Sequence, residues 1–248
     1  MSVKSAKRVI DVFEILMKYP KGLLSKEISE ILEIPQSSTF NLLSTLVKLN
    51  YLSRDSYKRY RLGPKLIPLG RSAMQFLDIH EISLPHLKGL CEKVRETVFM
   101  AVLSDDELVY IAKEVSDRSI QTAAQPGMKK PLYCTGLGKI FLAFLSFEER
   151  KEILDHIDLV PYTEKTIVNR NELEKQLDQY YSDGYSIDDE ENEEGLFCIA
   201  APIFGANNSM IAAISVAGPK ERVYTKKDFI VKEIKHTASQ ISAEMGYN

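Results

Sequence analysis

Apolar residues near the start of the chain recur at intervals of three and four, the spacing that predicts amphipathic helices. The expected first helix carries one apolar face, made of Val9, Val12, Phe13 and Leu16. A second helix is expected from Ser25 to about Leu32, with the Ser25 hydroxyl as its cap. Pro35 suits the first position of a third helix, where its missing N–H is no loss.

The third predicted helix has a leucine-rich buried side and a polar start. Its short polar residues are Gln36, Ser37, Ser38, Thr39 and Asn41. Gln and Asn pair with adenine edges and hydroxyls reach bases or phosphates, so we expect this group to contact DNA. A helix-turn-helix places its second helix in the major groove. The alternative is a small helical bundle whose polar face meets only water.

Residues 51–62 predict two short strands around a turn rich in basic side chains. Arg54, Lys58 and Arg59 fit a wing that lies along DNA phosphates, which position a protein without reading sequence. The alternative is an ordinary solvated hairpin.

Charge is distributed unevenly along the 248 residues, whose total is −3. Residues 1–65 hold 12 Lys and Arg against 6 Asp and Glu, whereas residues 66–248 hold 20 against 29. A basic surplus confined to one domain is the electrostatic footprint of a nucleic-acid module. The length predicts two domains. We therefore expect a winged helix-turn-helix in 1–65, a linker helix in 66–80, and a second domain in 81–248.

The second half predicts an α+β fold with an antiparallel sheet, because helical and strand-like segments are mixed and two strands form a hairpin. The predicted strands are Thr97–Leu103, Leu108–Glu114, Tyr185–Asp188, Phe197–Phe204 and Met210–Ala217. Helix starts are predicted at three capping pairs: Ser146 with Glu149, Asn169 with Glu172, and Thr225 with Asp228. Gly184 is expected to end the second of these helices.

Three features of the second half favour a small-molecule site. Glycines in 135–139 open a predicted helix at Gly136, and exposed N–H groups at a helix start favour anions, although glycines also allow close packing. Asp188 ends a strand and is expected to point inward, while the acidic residues that follow are expected to form a solvated loop. Ser215 stands among small apolar residues, where it can touch a bound polar group or bond the backbone.

Cys198 is open to a catalytic or a binding interpretation. A cysteine nucleophile needs a base, usually histidine, and no histidine falls in the sheet segments expected around Cys198. Binding is therefore favoured, and an enzyme using Cys198 or Asp188 is the weaker alternative. The three cysteines fit neither a disulfide framework nor a Cys-x-x-Cys zinc pattern. No cofactor is expected, and zinc binding through Cys198 is a weak alternative because no cluster of ligands is visible.

No run of 18 apolar residues is present, so the sequence predicts no transmembrane helix and no membrane partner. The start of the chain reads as an amphipathic helix and not as a signal peptide, because Asp11 and Glu14 interrupt its apolar pattern. Together with the cysteine pattern, these features make the cytoplasm the default location.

Residues 184–222 resemble the signature of IclR-type bacterial transcription regulators, in the order Gly, Asp, Glu, Cys, Ala-Pro-Ile/Val, Ala-x-Ser, Gly, Arg. TGLGK in 135–139 and the winged helix in 24–62 match in the same order, so the resemblance covers nearly the whole chain. It implies a C-terminal α/β domain similar to GAF sensors, which binds a small carboxylate effector. It also implies a homodimer or a dimer of dimers.

Carried over by position, the resemblance assigns five effector-binding residues. The N–H groups of Gly136 and Leu137 would hold a carboxylate, and the polar end of the pocket would be lined by Asp188, Cys198 and Ser215. Two departures are visible: Ala217 stands where the family often has a second serine, and Asn41 where it often has arginine. The identity of the effector and the sequence of the operator therefore cannot be inferred from the family.

The sequence as a whole predicts a ligand-responsive repressor that binds double-stranded operator DNA. The main alternative is a DNA-binding protein whose second domain only forms oligomers.

Overall fold

The computed structural model describes residues 3–69, 79–104 and 106–247. The chain forms two compact units, Met1–Leu77 and Asp78–Asn248. Most of the expected linker helix in 66–80 lies outside the described residues; the described parts, 66–69 and 79–80, are helical.

Within the described residues before Leu66, the first unit contains three helices and a two-stranded antiparallel sheet. Its elements are α1 (Lys4–Lys18), α2 (Ser25–Ile31), α3 (Gln36–Lys48), β1 (Leu52–Arg54) and β2 (Tyr60–Leu62). Helices and hairpin share one core, made of Val12, Leu16, Leu23, Ile28, Leu43, Leu46, Leu52 and Tyr60. The predicted apolar face of α1 supplies Val12 and Leu16 to that core, with Val9 and Phe13 packed at its edge.

Two predicted helix starts in this unit are shifted by one residue. Ser25 is the first helical residue and not the cap; Leu24 is the cap, and its N–H donates to the Glu27 carboxylate at 2.6 Å. A carboxylate in the first turn thus takes the role expected of the Ser25 hydroxyl. Pro35 is the cap of α3, with extended backbone, and Gln36 is the first helical residue.

The second unit is built on a six-stranded antiparallel sheet in the order β5-β4-β3-β8-β7-β6. Its strands are β3 (Thr97–Ser104), β4 (Glu107–Glu114), β5 (Lys129–Lys130), β6 (Ser186–Asp189), β7 (Leu196–Phe204) and β8 (Met210–Pro219). Its helices are α4 (Ile79–Val94), α5 (Gly136–Phe144), α6 (Phe147–His156), α7 (Arg170–Asp183), α8 (Lys220–Thr225) and α9 (Lys227–Glu244). The predicted α+β class with an antiparallel sheet is confirmed.

The two faces of this sheet carry side chains of different size. Toward α4, α8 and α9, strands β7 and β8 present larger residues such as Ile199, Ile214 and Val216. Toward α5, α6 and α7 the same strands present small ones: Cys198, Ala200, Ala213, Ser215 and Ala217. Small side chains let α5 approach the sheet closely and leave room for a cavity beside its first turn.

Most predicted boundaries in the second unit hold to within two residues, and the start of the last helix differs. Gly184 ends α7 in the left-handed conformation, with φ 69°. Ser146 and Asn169 cap α6 and α7 as predicted. Thr225 does not cap the last helix: it ends the short α8, its hydroxyl donates to the Glu221 carbonyl, and Lys226 is the cap of α9. Strand β5 was missed, because two residues are too few to show periodicity.

Within the described ranges, no helix is long and apolar enough to cross a membrane.

Candidate functional site

A cavity of about 150 Å³ lies between the first turn of α5 and the small-residue face of the sheet. All five residues predicted to bind an effector line it: Gly136, Leu137, Asp188, Cys198 and Ser215. They come from α5, β6, β7 and β8, and they meet because α5 packs across the strands. The fold thus brings the five predicted residues together around one cavity.

The start of α5 exposes backbone donors to the cavity. Thr135 caps the helix: its hydroxyl accepts from the Gly138 N–H at 3.0 Å and donates to the Pro131 carbonyl at 2.7 Å. Among the described residues, the N–H groups of Gly136 and Leu137 have no hydrogen-bond partner. Two free donors at a helix start form an anion-binding arrangement once a ligand is present.

The two glycines of this turn have different roles. A Cβ at Gly138 would lie 2.3 Å from the Leu132 carbonyl oxygen, so Gly138 is required for close packing. A Cβ at Gly136 would lie 3.4 Å from the Cβ of Cys198, an ordinary contact. Packing therefore explains Gly138, and Gly136 is the glycine that borders the cavity.

Asp188 is 1% exposed and stands opposite Cys198 in the β6–β7 ladder. One carboxylate oxygen accepts from the N–H groups of Glu191 and Asn192, at 2.8 and 3.3 Å. Burial raises the pKa of Asp188 to about 7, while the nearby charge of Lys139 acts in the opposite direction. Near neutral pH this carboxyl can therefore donate or accept a hydrogen bond.

Lys139 and Glu191 form a buried ion pair behind the cavity that sequence reasoning missed. Lys139 is 0% exposed; its ammonium also donates to Gln176 at 3.1 Å and lies over the Tyr180 ring. A lysine inside the apolar stretch GLGKIFLAF was the available signal, since a buried lysine needs a counter-ion. The expectation that only Asp188 points inward was wrong, because Glu191 is buried as well.

The rest of the acidic run is only partly a solvated loop. Lys165 and Lys220 bind the carboxylates of Asp189 and Glu190, and these contacts lower the pKa of Glu190 to about 2. The turn between β6 and β7 is thus held by lysines from other parts of the chain. Of the acidic residues in this run, Glu193 and Glu194 alone are exposed, whereas the sequence predicted exposure for most of the run.

Cys198 is buried at the cavity wall, and burial raises the pKa of its thiol well above the usual value. A protonated thiol is a poor nucleophile, and no histidine lines the cavity. Ser215 pairs with Phe99 and Ala200 in the sheet and is 3% exposed. In the described parts of the chain, no cluster of three or more His, Cys, Asp or Glu could hold a metal ion.

Two aromatic residues and one lysine also line the cavity. Phe99 and Tyr110 form an aromatic wall, with ring centroids 5.0 Å apart. Lys130 of β5 lines the same cavity, and no hydrogen bond or ion pair of its ammonium occurs within the described ranges. Sequence reasoning missed Lys130 because its two-residue strand was not predicted.

In the first unit, four of the five polar residues at the start of α3 are exposed: Gln36, Ser37, Ser38 and Asn41. Thr39 is 1% exposed, and its hydroxyl donates to the carbonyls of Ile34 and Pro35. The expectation that the Thr39 side chain contacts DNA was therefore wrong, because helical spacing turns it into the core. Phe40 is half exposed beside these residues and could meet a thymine methyl group.

The predicted wing forms, and its basic residues differ in availability. Lys58 is exposed at the turn, and Arg54 is exposed with its guanidinium 5.3 Å from the Tyr60 ring centroid. Arg59 is half buried: it donates to the Gly22 carbonyl at 2.9 Å and lies 3.8 Å from the Glu27 carboxylate. The Arg59 side chain thus ties the wing to the loop before α2.

A winged helix-turn-helix unit combined with an antiparallel α+β unit that contains a cavity with polar groups at one end defines a two-domain DNA-binding regulator. Residues 5–56 match the family model "IclR helix-turn-helix domain", and residues 71–243 match "Bacterial transcriptional regulator IclR C-terminal". The chain belongs to the IclR family of bacterial transcriptional regulators, as the sequence resemblance predicted.

Relatives and solved structures support this assignment. The chain is 32% identical over 249 residues to the HTH-type transcriptional regulator KdgR of Escherichia coli, covering 100% of this chain and 94% of that protein. It is 33% identical to the E. coli transcriptional repressor IclR, covering 89% and 82%. The structure of the Agobacterium tumefaciens repressor BlcR aligns with TM-score 0.85 and 27% identity, over 100% of this chain and 99% of that one.

Proposed function

We propose that this protein represses transcription from an operator and that a small organic acid in the cavity changes its affinity for that DNA. The observation that carries the proposal is the convergence of Gly136, Leu137, Asp188, Cys198 and Ser215 on one cavity. Repressors among the relatives, such as the IclR protein of E. coli, support the sign of regulation.

The size of the cavity supports a small effector. A protein cavity of about 150 Å³ holds a molecule the size of benzene, roughly six non-hydrogen atoms. The cavity of this protein has that volume, so short-chain acids fit it better than sugar acids or large aromatics unless the walls move.

The charges of the cavity support an acid. The N–H groups of Gly136 and Leu137 suit one carboxylate, and the ammonium of Lys130, which has no partner among the described residues, adds positive charge. Asp188 and the exposed Glu193 oppose an anion when both are ionised. Because the pKa of Asp188 is about 7, its neutral form can donate a hydrogen bond to the effector or its charged form can accept one from an effector hydroxyl.

Operator recognition is proposed for the exposed start of α3 and for the wing. Gln36, Ser37, Ser38 and Asn41 present donors and acceptors suited to base edges. Lys58 and Arg54 suit phosphates. A homodimer or dimer of dimers would read two half-sites, and the effector would shift DNA affinity by its differential affinity for two states of that assembly.

A thermal-shift screen with short carboxylic, hydroxy and keto acids tests the sensor. A ligand that binds only the native state raises the melting temperature. We expect at least one acid to do so, and to lose its effect in Ser215→Ala but not in Ser209→Ala, a control at an exposed turn. A mobility-shift assay with operator DNA then measures the change in repressor affinity.

Two results contradict the proposal in different ways. If no acid raises the melting temperature, the second unit is left with an oligomerisation role. If an acid raises it equally in both serine variants, the acid binds elsewhere and the cavity is not its site.

A further inference from the structure

Residues 115–128, here named the cavity loop, join β4 to β5 and form one wall of the cavity. Thr122, Ala123, Ala124 and Met128 line it from this loop. The loop contains no regular secondary structure, so side chains of other elements must hold it in place. Lys113 makes one such contact, because its ammonium donates to the Thr122 carbonyl at 3.0 Å.

An ion pair whose carboxylate is buried makes the second contact. The guanidinium of Arg222, in α8, binds Glu96 through two parallel hydrogen bonds of 2.8 and 2.7 Å. The same guanidinium donates to the Ile120 carbonyl of the cavity loop at 3.1 Å. The Glu96 side chain is 3% exposed, and Arg222 is its hydrogen-bonded counter-ion.

The surroundings of Glu96 are shaped for this pair. A Cβ at Gly218 would lie 2.5 Å from a Glu96 carboxylate oxygen, so Gly218 leaves the space that the carboxylate fills. Arg118 of the cavity loop lies 3.7 Å from Glu96 and donates to the Arg95 carbonyl at 3.1 Å. The family signature contains Gly218 and Arg222, and neither residue lines the cavity.

We propose that Glu96 and Arg222 are positioning residues that hold the cavity loop closed. Glu96 aligns the guanidinium, and the guanidinium fixes the Ile120 carbonyl two residues before the loop reaches the cavity at Thr122. Gly218 provides the space in which the pair forms. The pair does not line the cavity, but by holding the cavity loop it controls how readily a molecule enters the cavity. A consequence that rests on the proposed function is that weakening the pair speeds effector release.

Cys198 reports access to the cavity without any effector. Its thiol lines the cavity and is buried, as are the thiols of Cys91 and Cys134. Methyl methanethiosulfonate, a small uncharged reagent, is added at one pH, and modification is followed by mass spectrometry of the separate cysteine peptides. Cys91 serves as an internal control for unfolding, because it lies in the core on the other face of the sheet and its thiol contacts the backbone carbonyl of Glu96, not the carboxylate that pairs with Arg222.

Arg222→Met removes the contacts of the guanidinium with Glu96 and with the Ile120 carbonyl. We expect Cys198 to react at least about tenfold faster, because the free energy lost with a hydrogen bond to a charged group corresponds to a change of that size. Cys91 should keep its rate. Arg222→Lys keeps a cation beside Glu96, which protects the fold. It loses the planar fork of the guanidinium, so we expect an intermediate rate of Cys198 modification. Asp117→Asn breaks an exposed ion pair of the same loop with Arg95 and should change neither rate.

An unchanged Cys198 rate in both Arg222 variants would overturn the proposal. Equal acceleration of Cys198 and Cys91 would also overturn it, because the pair would then stabilise the whole unit and not the loop. This experiment uses no acid, so failure of the sensor proposal leaves its outcome interpretable.

Discussion

The ammonium of Lys139 in α5 contacts the carboxylate of Glu191, 52 positions later in the chain, and both groups are buried. The contact joins the helix whose start borders the cavity to the turn whose N–H groups bind Asp188. The ion pair thus connects the helix that carries the backbone donors to the turn that holds the titratable carboxyl of the proposed effector site.

Lys139→Met should destabilise the second unit strongly, because it leaves the Glu191 carboxylate buried without a counter-ion. Breaking a buried pair on one side costs about 3–5 kcal/mol. Lys165→Met removes a half-exposed lysine that binds the same turn from another part of the chain and should cost about 1 kcal/mol or less. Urea unfolding of both variants measures the difference, and equal costs would show that the buried pair contributes no more than a surface one.

Asp188 should make stability fall as pH rises from about 4 to about 7. Its folded-state pKa of about 7 lies above the ordinary value, so the folded protein holds the proton more tightly than the unfolded chain. This stabilisation is complete below about pH 4, where both states are protonated, and is lost as pH rises through 7. At roughly 1.4 kcal/mol per pKa unit, the loss is at most about 4 kcal/mol.

Asp188→Asn isolates the contribution of Asp188 to the pH dependence of stability, because asparagine does not titrate. The difference in unfolding free energy between wild type and variant should change between pH 4 and 7 and stay flat above pH 8. A difference that does not depend on pH would contradict a raised pKa at Asp188.

Gly138→Ala and Gly136→Ala should differ in stability although they are two residues apart in one helical turn. The added methyl at Gly138 would overlap the Leu132 backbone, whereas that at Gly136 makes an ordinary contact. Overpacking typically costs about 1–3 kcal/mol, and here the obstacle is backbone. Thermal unfolding compares the two; similar melting temperatures would refute the packing role of Gly138.

Lys58→Ala should weaken binding to all DNA sequences and reduce the salt slope by about one ion. Lys58 is exposed at the tip of the wing, where phosphate contact is expected. Arg59→Ala should instead lower the stability of the first unit, because Arg59 holds the Gly22 carbonyl. Fluorescence anisotropy across a salt series separates the two effects, and a sequence-selective loss in Lys58→Ala would exclude a phosphate role.

Gln36→Ala should relax operator specificity at one base pair by about 1–3 kcal/mol if its contact is bidentate. Gln36 is exposed at the start of α3. Thr39→Val is the matched control, since the Thr39 hydroxyl bonds inside the fold and should affect stability without changing base preference. Binding to operators randomised at single positions measures both; uniform weakening by Gln36→Ala would contradict base reading.

The sequence alone determined the winged helix-turn-helix and the antiparallel sheet, and its family resemblance supplied five of the residues that line the cavity. These follow from local signals: apolar periodicity marks which side of an element is buried, and glycines, caps and signature residues mark its ends. The apolar periodicity of α3 also indicates that Thr39 lies on the buried side of the helix, because residue 39 falls on the same side as Leu43 and Leu46.

Only the tertiary structure decided which distant charges meet. Lys139 binds Glu191 across 52 positions, Arg222 binds Glu96 across 126, and Lys130 enters the cavity from a two-residue strand. A side chain's pattern along its own element reports that it is buried but not which partner it faces. Partners between elements are fixed by how helices pack on the sheet, and that packing sets both the burial and the charge of the proposed site.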